Sequence, residues 1–574
     1  MNTVKPLKLI LSSSIALSIV LASTAIAPLA ALANSVPQVS VAAIPAVTLG
    51  GTVTISGTSL NGEIILKVIG PTGSVFFFDV VKATNGAFSD TFIVGTSELT
   101  GTYKVVAGYG DTVDTEDFIV KAPPVVVGGG GGGGAGGGGG GGDGGGSGAS
   151  NTVTPNNVEI HPDAVKSNKV TGPDGKSTTT VTIDNKFLGD AFIQLKNQSE
   201  TEEKQIIAIK IGAVEANGKT TIDIPASVLV EGMKSAPDAL IRIYSGKESY
   251  LLPLSVLDLA NLAKSLGTDS SSVILHLNIS VMGTDIEKKI QESAAEEGAT
   301  SLGHSVDFSI TAESNNKKVD VNNFGSVYVE RQIVYSGTIK PENATGVLYD
   351  PITGDISFVP TVFTVNSDGT TNANIKRNGN SIYSVITTFK SFDDIKGHWA
   401  KSDIELLASK LVVSGATDTG FAPEANITRA EFAMLLVRAL ALTSNAGAAS
   451  FNDVDATDWF AGAVGAAVKA NLVSGFEDGS FQPNAPITRE QMAVMVAKAL
   501  SAAGKTVEGQ AELLNKFNDN AAISSWAKTS VSQSVKAGII SGMTDSTFVP
   551  TANASRAQAV VMLKRLLQYA QFIN

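Results

Sequence analysis

Apolar and polar residues alternate with a period of two in short runs over the first two thirds of the chain, and recur at helical spacing over the last third. Between residues 38 and 122 the alternating runs are Thr52–Ile55, Glu63–Val68, Ser74–Phe78, Ala87–Phe92, Thr102–Val106 and Asp117–Val120. Gly, Asn and Pro separate them, and that rhythm predicts an all-β sandwich. The run Phe76, Phe77, Phe78 could line a ligand patch, but alternation sends at least one of the three into the core. From 151 to 390 further strands are predicted at Thr178–Ile183, Ala191–Leu195, Ile206–Ile211, Thr220–Ile224, Ala239–Tyr244, Tyr250–Leu254, Val273–Val281, Val306–Ala312, Val327–Val334 and Val347–Tyr349. Asp350–Asp355 reads as a hairpin turn into Ile356–Val359. Helical spacing predicts one helix over Ser255–Ser265, and the acidic stretch Asp285–Glu297 a second, solvated one. This region is β-rich, all-β or α+β, and forms one large domain or two smaller ones.

The two β regions are separated by a tract from Gly128 to Gly148 that is glycine except at Ala135, Asp143 and Ser147. Such a tract builds no core, and as a random coil it spans about 25 Å. A phosphate-binding loop is excluded, because no Gly-Lys-Ser/Thr follows. We therefore expect a flexible Pro/Gly-rich linker over 123–150. At the N-terminus Lys5 and Lys8 precede an apolar run, Leu9–Ala22, and then Ala31-Leu32-Ala33. That order is a secretory signal peptide, residues 1–33, cleaved after Ala33, with Ala25-Ile26-Ala27 as the earlier alternative. No Leu-Pro-x-Thr-Gly signal for covalent wall attachment is found at the C-terminus.

The helical third repeats itself. Ile427-Thr428-Arg429-Ala430-Glu431 returns as Ile487-Thr488-Arg489-Glu490-Gln491 and as Ala554-Ser555-Arg556-Ala557-Gln558. Ser or Thr followed three residues later by Glu or Gln, ahead of an apolar run, is a capping box, so each copy begins a helix. Arg at the first helical position opposes the helix dipole by about 0.3–1 kcal/mol. Its threefold recurrence suggests either an anion site, made with the free N–H groups of the helix start, or a sideways pair with an acidic neighbour. Ser414-Gly415, Ser474-Gly475 and Ser541-Gly542 each place their Gly fourteen residues before the Arg. Asp418, Phe421 and Pro423 lie between, matched by Asp478, Phe481 and Pro483 and by Asp545, Phe548 and Pro550. Upstream stand Asp394, Asp453 and Asp519, then Trp399, Trp459 and Trp526, the three tryptophans of the chain. Each unit of about 60 residues reads as helix, Gly-ended turn, Asp/Pro loop, helix. The apolar faces, such as Phe432, Leu435, Leu436 and Ala439, should pack on one another, with related grooves between units.

Composition narrows the chemistry. A length of 574 residues implies about three to five folded units. The net charge of −12 argues against nucleic acid as a partner, and the lack of cysteine removes disulfides, thiolate metal sites and a Cys nucleophile. Neither a membrane span beyond the leader nor a cofactor signature is seen. His161, His276 and His304 have no metal-ligand spacing, and no Gly-x-Ser-x-Gly elbow is present. A carboxylate pair of the glycosidase type is not singled out by counting acids.

The C-terminal motifs, Phe-x-Asp starts, Gly-x-x-Asp-x-x-Phe-x-Pro loops and Ile-Thr-Arg-Ala-Glu, resemble the S-layer homology family over residues 391 to 570. The resemblance implies an all-α, pseudo-threefold arrangement of three repeats, 391–446, 451–507 and 515–574. It also implies grooves that bind pyruvylated secondary cell-wall polysaccharide without covalent attachment. Carried over by motif, Arg429, Arg489 and Arg556 would meet the acidic pyruvyl group. Asp394, Asp453 and Asp519 would touch sugar hydroxyls or shape the groove, and Gly415, Gly475 and Gly542 would allow close backbone approach. Trp399, Trp459 and Trp526 are further polysaccharide-binding candidates, or else core or interface anchors. The third copy departs through Ala554-Ser555 and Gln558, and the second through Gln491, which ranks the Arg429 site first and the Arg556 site last. In the N-terminal module, Leu99-Thr100-Gly101-Thr102-Tyr103 resembles the tyrosine corner of immunoglobulin-like folds. The resulting expectation is a secreted, non-catalytic protein of the Gram-positive wall that displays β domains outward, as an S-layer component or an S-layer associate, with copies of itself in a lattice as a candidate partner. Its rivals are a wall-anchored polysaccharide hydrolase with its site in 151–390, and an adhesin.

Overall fold

The computed structural model describes residues 39–49, 51–60, 62–71, 75–94, 100–109, 112–121, 150–172, 175–198, 204–448 and 451–574. The leader, the glycine tract, Leu99 and the side chains of Phe76 and Phe78 lie outside the described residues. Contacts divide the chain into two units, residues 1–70 with 75–123 and residues 71–74 with 124–574.

In the first unit, strands Val39–Val41, Thr52–Ser59 and Ala87–Ile93 form one sheet. Val47–Thr48, Thr112–Lys121, Gly101–Tyr109, Glu63–Ile69 and Val75–Lys82 form another. Alternation fixes which residues face inward: Val53 and Ile55 from the first sheet and Ile64, Leu66, Val68, Tyr103 and Val105 from the second share one core. Phe77 packs against that core and stacks on Phe92 with ring centroids 4.7 Å apart. Tyr103 is buried against Phe118, 5.4 Å between centroids.

The second unit opens with a β domain of two large sheets. One runs in the order 361–365, 371–377, 329–335, 248–253, 240–245, 206–211, 157–159, 152–154. The other runs 165–171, 177–183, 219–225, 274–281, 306–314, 381–387, 344–349, 356–359. The chain passes repeatedly from one to the other, and Ile207, Ile241 and Tyr250 of the first sheet meet Ile222, Leu277 and Tyr383 of the second in a single core. Four helices accompany the sheets: α1 (Asn185–Lys196), α2 (Ala226–Ser235), α3 (Leu259–Leu266) and α4 (Thr284–Glu296).

Helix α1 corrects the strand predicted at Ala191–Leu195. Leu188, Ala191, Phe192 and Leu195 are all buried on one face at helical spacing, and the Asp184 carboxylate caps the start by accepting the Lys186 N–H at 2.8 Å. A window of five residues read alone hides that period. The helix predicted from Ser255 starts at Leu259, capped by Asp258, because Leu254–Val256 forms a single tight turn. The hairpin at Asp350 forms as its turn residues require, with the Asp350 N–H on the Asp355 carbonyl at 3.0 Å.

Six helices follow: α5 (Lys401–Ser409), α6 (Arg429–Ala439), α7 (Ala461–Lys469), α8 (Arg489–Ala502), α9 (Lys528–Lys536) and α10 (Arg556–Tyr569). Their apolar faces close on one core containing Phe432, Leu436, Met492, Val496, Val560 and Leu563. The first helix of each repeat ends on a left-handed residue, but only Gly538 of the third is a glycine; Leu411 and Asn471 adopt the same conformation, with φ of 59° and 57°. The expected Ser-Gly turn comes a few residues later.

This helical core is seated on the β domain. Phe358 contributes to it directly. Tyr328 donates to the Leu440 carbonyl at 2.7 Å and its ring lies 4.6 Å from that of Phe572. Asn574 extends the edge of the 361–365 strand, donating to the Phe363 carbonyl at 2.8 Å and accepting the Phe363 N–H at 2.9 Å. The Lys410 ammonium, 2 % exposed, donates to the carbonyls of Pro341 and Ala344 at 2.7 and 2.9 Å.

Candidate functional site

All three capping boxes are formed. Thr428, Thr488 and Ser555 accept from the N–H of Glu431, Gln491 and Gln558, whose side chains accept the cap N–H in return. At the same place the chain closes a ring: the N–H of Ile427 bonds the carbonyl of Ala554, that of Ala554 bonds Ile487, and that of Ile487 bonds Ile427. Each such bond stabilises by about 1 kcal/mol net, and the ring requires all three repeats at once.

The first two helical N–H groups are not free. Those of Arg429 and Ala430 bond the carbonyls of Ala485 and Pro483, with the same pattern at Arg489 and Glu490 and at Arg556 and Ala557. Anion capture by bare helix ends is thereby replaced by contact with the next repeat. The guanidinium follows the backbone across. Arg429 Nε donates to the Phe481 carbonyl at 2.8 Å, Arg489 Nε to Phe548 at 2.9 Å and Arg556 Nε to Phe421 at 3.0 Å. Nη2 of each reaches the Ser that precedes the conserved-spacing Gly, at Ser474, Ser541 and Ser414. Each Arg thus serves the loop of the following repeat, and Arg556 serves the first. The cationic plane also lies over the Phe it bonds, at 4.9, 5.2 and 4.7 Å respectively. Burial lowers the Arg429 pKa to about 10, which leaves it charged at neutral pH.

The aspartates hold those loops within their own repeat. Asp394 accepts the N–H groups of Phe421 and Ala422 at 2.8 and 2.7 Å, Asp453 those of Phe481 and Gln482, and Asp519 those of Phe548 and Val549. The second residue of each pair has positive φ, 57°, 56° and 55°, a conformation disfavoured for side chains with a Cβ and most of all for β-branched Val549. Two charge-assisted bonds offset that strain. The Phe421 N–H is the chief cause that keeps the Asp394 carboxyl below its usual range. The glycines are required by the same loops: a Cβ at Gly415, Gly475 or Gly542 would come within 2.6, 2.4 or 2.8 Å of the ring of Phe392, Phe451 or Phe517.

What remains open to solvent are grooves. The first, about 490 Å³, is lined by Ser414, Phe421, Glu431, Leu435, Trp459 and Arg556, with Arg556 Nη1 3.8 Å from the Glu431 carboxylate. It therefore takes residues from all three repeats. A second, about 410 Å³, gathers Arg489, Ser541, Gln558, Met562 and Arg565 with Trp399 and Glu424 of the first repeat. Trp399, Trp459 and Trp526 are 63 %, 63 % and 56 % exposed, so none is a core anchor. Arg429 is enclosed differently: Phe476, which stands where the other repeats have Ala416 and Met543, lies 4.7 Å over its guanidinium, and Lys498 donates to Ser474 Oγ at 2.9 Å.

One set of cations in or beside the grooves escaped sequence reasoning: Arg438 and Arg565 line grooves, and Lys498 meets Ser474. Arg438, Lys498 and Arg565 each stand nine residues after the repeated Arg. That is seven after the Glu or Gln, two turns along the same helix face. The signal is a second recurring cation at fixed spacing.

The S-layer homology domain family matches residues 391–433, 450–493 and 516–560. The chain carries three S-layer homology domains. Each match begins just ahead of the Phe-x-Asp start and ends within the Arg-bearing helix. An amylopullulanase of Thermoanaerobacterium thermosulfurigenes is 33 % identical over 277 residues, 47 % of this chain and 14 % of its own. That stretch is longer than the three repeats together, so it includes residues upstream of them. A cellulosome-anchoring protein of Acetivibrio thermocellus is 33 % identical over 26 % of this chain and 33 % of its own, and a surface layer protein of Brevibacillus choshinensis is 43 % identical over 16 % and 8 %. The chain spans a third or less of the length of these curated relatives. The S-layer homology domains place it among secreted, cell-surface proteins associated with the wall. No helix among the described residues is long and apolar enough to cross a membrane, and no group of three or more His, Cys, Asp or Glu there could hold a metal ion.

Proposed function

We propose that the three S-layer homology domains form a pseudo-threefold anchor whose grooves bind pyruvylated secondary cell-wall polysaccharide. The observation that carries this reading is the groove fed by Arg556. A partly exposed guanidinium, fixed through Nε and Nη2 and leaving Nη1 toward the groove, faces open space beside an exposed Trp459. A fixed cation of this kind suits a carboxylate-bearing sugar. The second groove likewise brings Arg489 beside Trp399, with Arg489 itself buried. Asp394, Asp453, Asp519 and the three glycines act as groove architecture, and the closed ring of hydrogen bonds supports the pseudo-threefold reading.

On this view the repeats occupy 391–446, 451–507 and 515–574, and the β domain at 151–390 and an immunoglobulin-like module at 38–122 are displayed outward. The chain is a non-catalytic surface protein able to take part in a surface lattice. For the β domain this is supported by two histidines whose rings are held by carboxylates: His276 lies between Asp223 and Glu313 at 2.6 and 3.2 Å, and His304 meets buried Glu248 at 2.8 Å.

The test is retention of the full chain on purified Gram-positive sacculi before and after acid extraction of the secondary polymer. Retention on native sacculi and release from stripped ones is expected. Equal retention on both would overturn the polymer reading.

A further inference from the structure

We propose that the groove fed by Arg556 is one end of a longer track that crosses from the helical repeats onto the β domain and holds several consecutive sugars of an acidic wall polysaccharide. The inference rests on the reading of that groove as a polysaccharide site and extends it to a second wall. The 490 Å³ groove shares Ser414, Met434, Arg438 and Trp459 with a cavity of about 650 Å³. That cavity in turn shares Leu348, Asp350, Arg377 and Thr443 with a third of about 740 Å³. One side of this trough is α6 and α7, and the other is the 344–349 strand and the turn at 377–381 of the β domain. A pocket for one small ligand occupies roughly 300–1,000 Å³. Three of that size in series, with common walls, exceed what a single terminal sugar fills.

Charge selects the occupant. Five cations line the trough, Arg377, Lys390, Arg438, Lys469 and Arg556, against three carboxylates, Glu297, Asp350 and Glu431. Glu297 is held by Lys390 at 2.7 Å and Glu431 by the Thr428 N–H at 2.8 Å. Arg377, Arg438 and Lys469 make no ion pair among the described residues. In a chain of net charge −12, a cleft lined by uncompensated cations concentrates anions. A neutral glycan would leave these cations without use, whereas a polymer with an acidic group on recurring sugars would meet them in turn.

The trough is also preorganised. Lys410, Tyr328 and Asn574 fix the two walls against each other. The turn that carries Arg377 is held from beneath by fully buried Arg331, which donates to the carbonyls of Arg377 and Gly379 at 3.1 and 2.7 Å and to Asn380 Oδ1 at 2.7 Å. Little ordering is left to oppose binding of an extended chain.

The test uses the full chain and calorimetric titration with a pyruvylated monosaccharide and with oligosaccharides of rising length released from wall polymer by partial hydrolysis. Affinity should rise at least tenfold from the monosaccharide to the longer fragments, and fall more steeply with salt for the longer ones. Lys469→Glu, at an exposed position of α7, should remove several-fold of that gain, and Lys469→Glu with Arg377→Gln most of it, while affinity for the monosaccharide stays unchanged. Binding by the longer fragments alone would also support the track. Equal affinity at every length, or a Lys469→Glu variant indistinguishable from the parent, would overturn the track and leave the groove reading standing. Failure of every fragment to bind would overturn both.

Discussion

The groove fed by Arg556 and the enclosure of Arg429 are built from the same motif and end in opposite states. Both guanidinium groups bond two main-chain carbonyls of the next repeat and lie over its Phe. Around Arg556 the neighbouring position is Ala416, so the outer face of the cation meets a cavity with Glu431 and Trp459 on its walls. Around Arg429 that position is Phe476, and the cation lies over two rings, at 4.7 and 4.9 Å. The copy with the least regular signature feeds the open groove, and the copy with the full Ile-Thr-Arg-Ala-Glu signature supplies its Arg to the closed one. Motif quality reports how well a helix start is built; access is decided one repeat away.

The sharpest way to break this comparison is to remove each Arg in turn. Arg429→Ala leaves the Phe481 and Ser474 carbonyls without donors and two rings without their cation. It should lower stability by about 2–4 kcal/mol, read by urea denaturation, with wall retention per folded molecule nearly unchanged. Arg556→Ala should lower retention on native sacculi more than tenfold. If Arg429→Ala abolished retention in a fully folded chain, the division of roles would be wrong.

Next in size is the junction that places the open groove beside the β domain. Burial lowers the Lys410 ammonium to about 8 from its ordinary value near 10.5. Below about pH 8 both folded and unfolded chains hold the proton and the full penalty of burying the charge is present. Between the two values the unfolded chain binds a proton that the folded chain lacks, so stability rises with pH. The rise from pH 8 to 10 should be on the order of 2 kcal/mol, followed by urea midpoints. Lys410→Met should flatten it; a rise of the same size in that variant would assign the effect to other groups.

Legibility followed the range of the interactions involved. Capping boxes, strand alternation and the Asp350 hairpin rest on residues within a turn of one another, and the chain displays them directly. Helix α1 reads as a strand over Ala191–Leu195 because its buried face spans Leu188 to Leu195, wider than that apolar run. The Asp394, Asp453 and Asp519 clamps and the role of Phe476 depend on contacts 27 to 30 residues apart or across a repeat boundary, and no local pattern states them. Lys410 and Asn574 look like surface residues until the β domain is in place. The cations at Arg438, Lys498 and Arg565 are legible as one more column of the repeat alignment, but within a helix a Lys or Arg at fixed spacing looks like an ordinary solvated position until the groove is in place.

The smallest expected effect tests the cause of the closure itself. Phe476 is 36 % exposed, so trimming it removes little core. Phe476→Ala gives the second repeat the residue that the first has at Ala416, and uncovers one face of the Arg429 cation without touching its bonds to Phe481 and Ser474. The loss of one exposed cation–π contact should lower stability by about 0.5–1 kcal/mol. Retention on native sacculi should increase about threefold, because a further groove becomes available to the same polymer and grooves on one rigid body act together. The increase should vanish when Arg429→Ala is added, since the cation is then gone. A Phe476→Ala chain that binds no better than the parent would mean that Lys498, bridging to Ser474 Oγ, closes the groove on its own. Lys498→Ala in the same background would then have to open it for the comparison to hold.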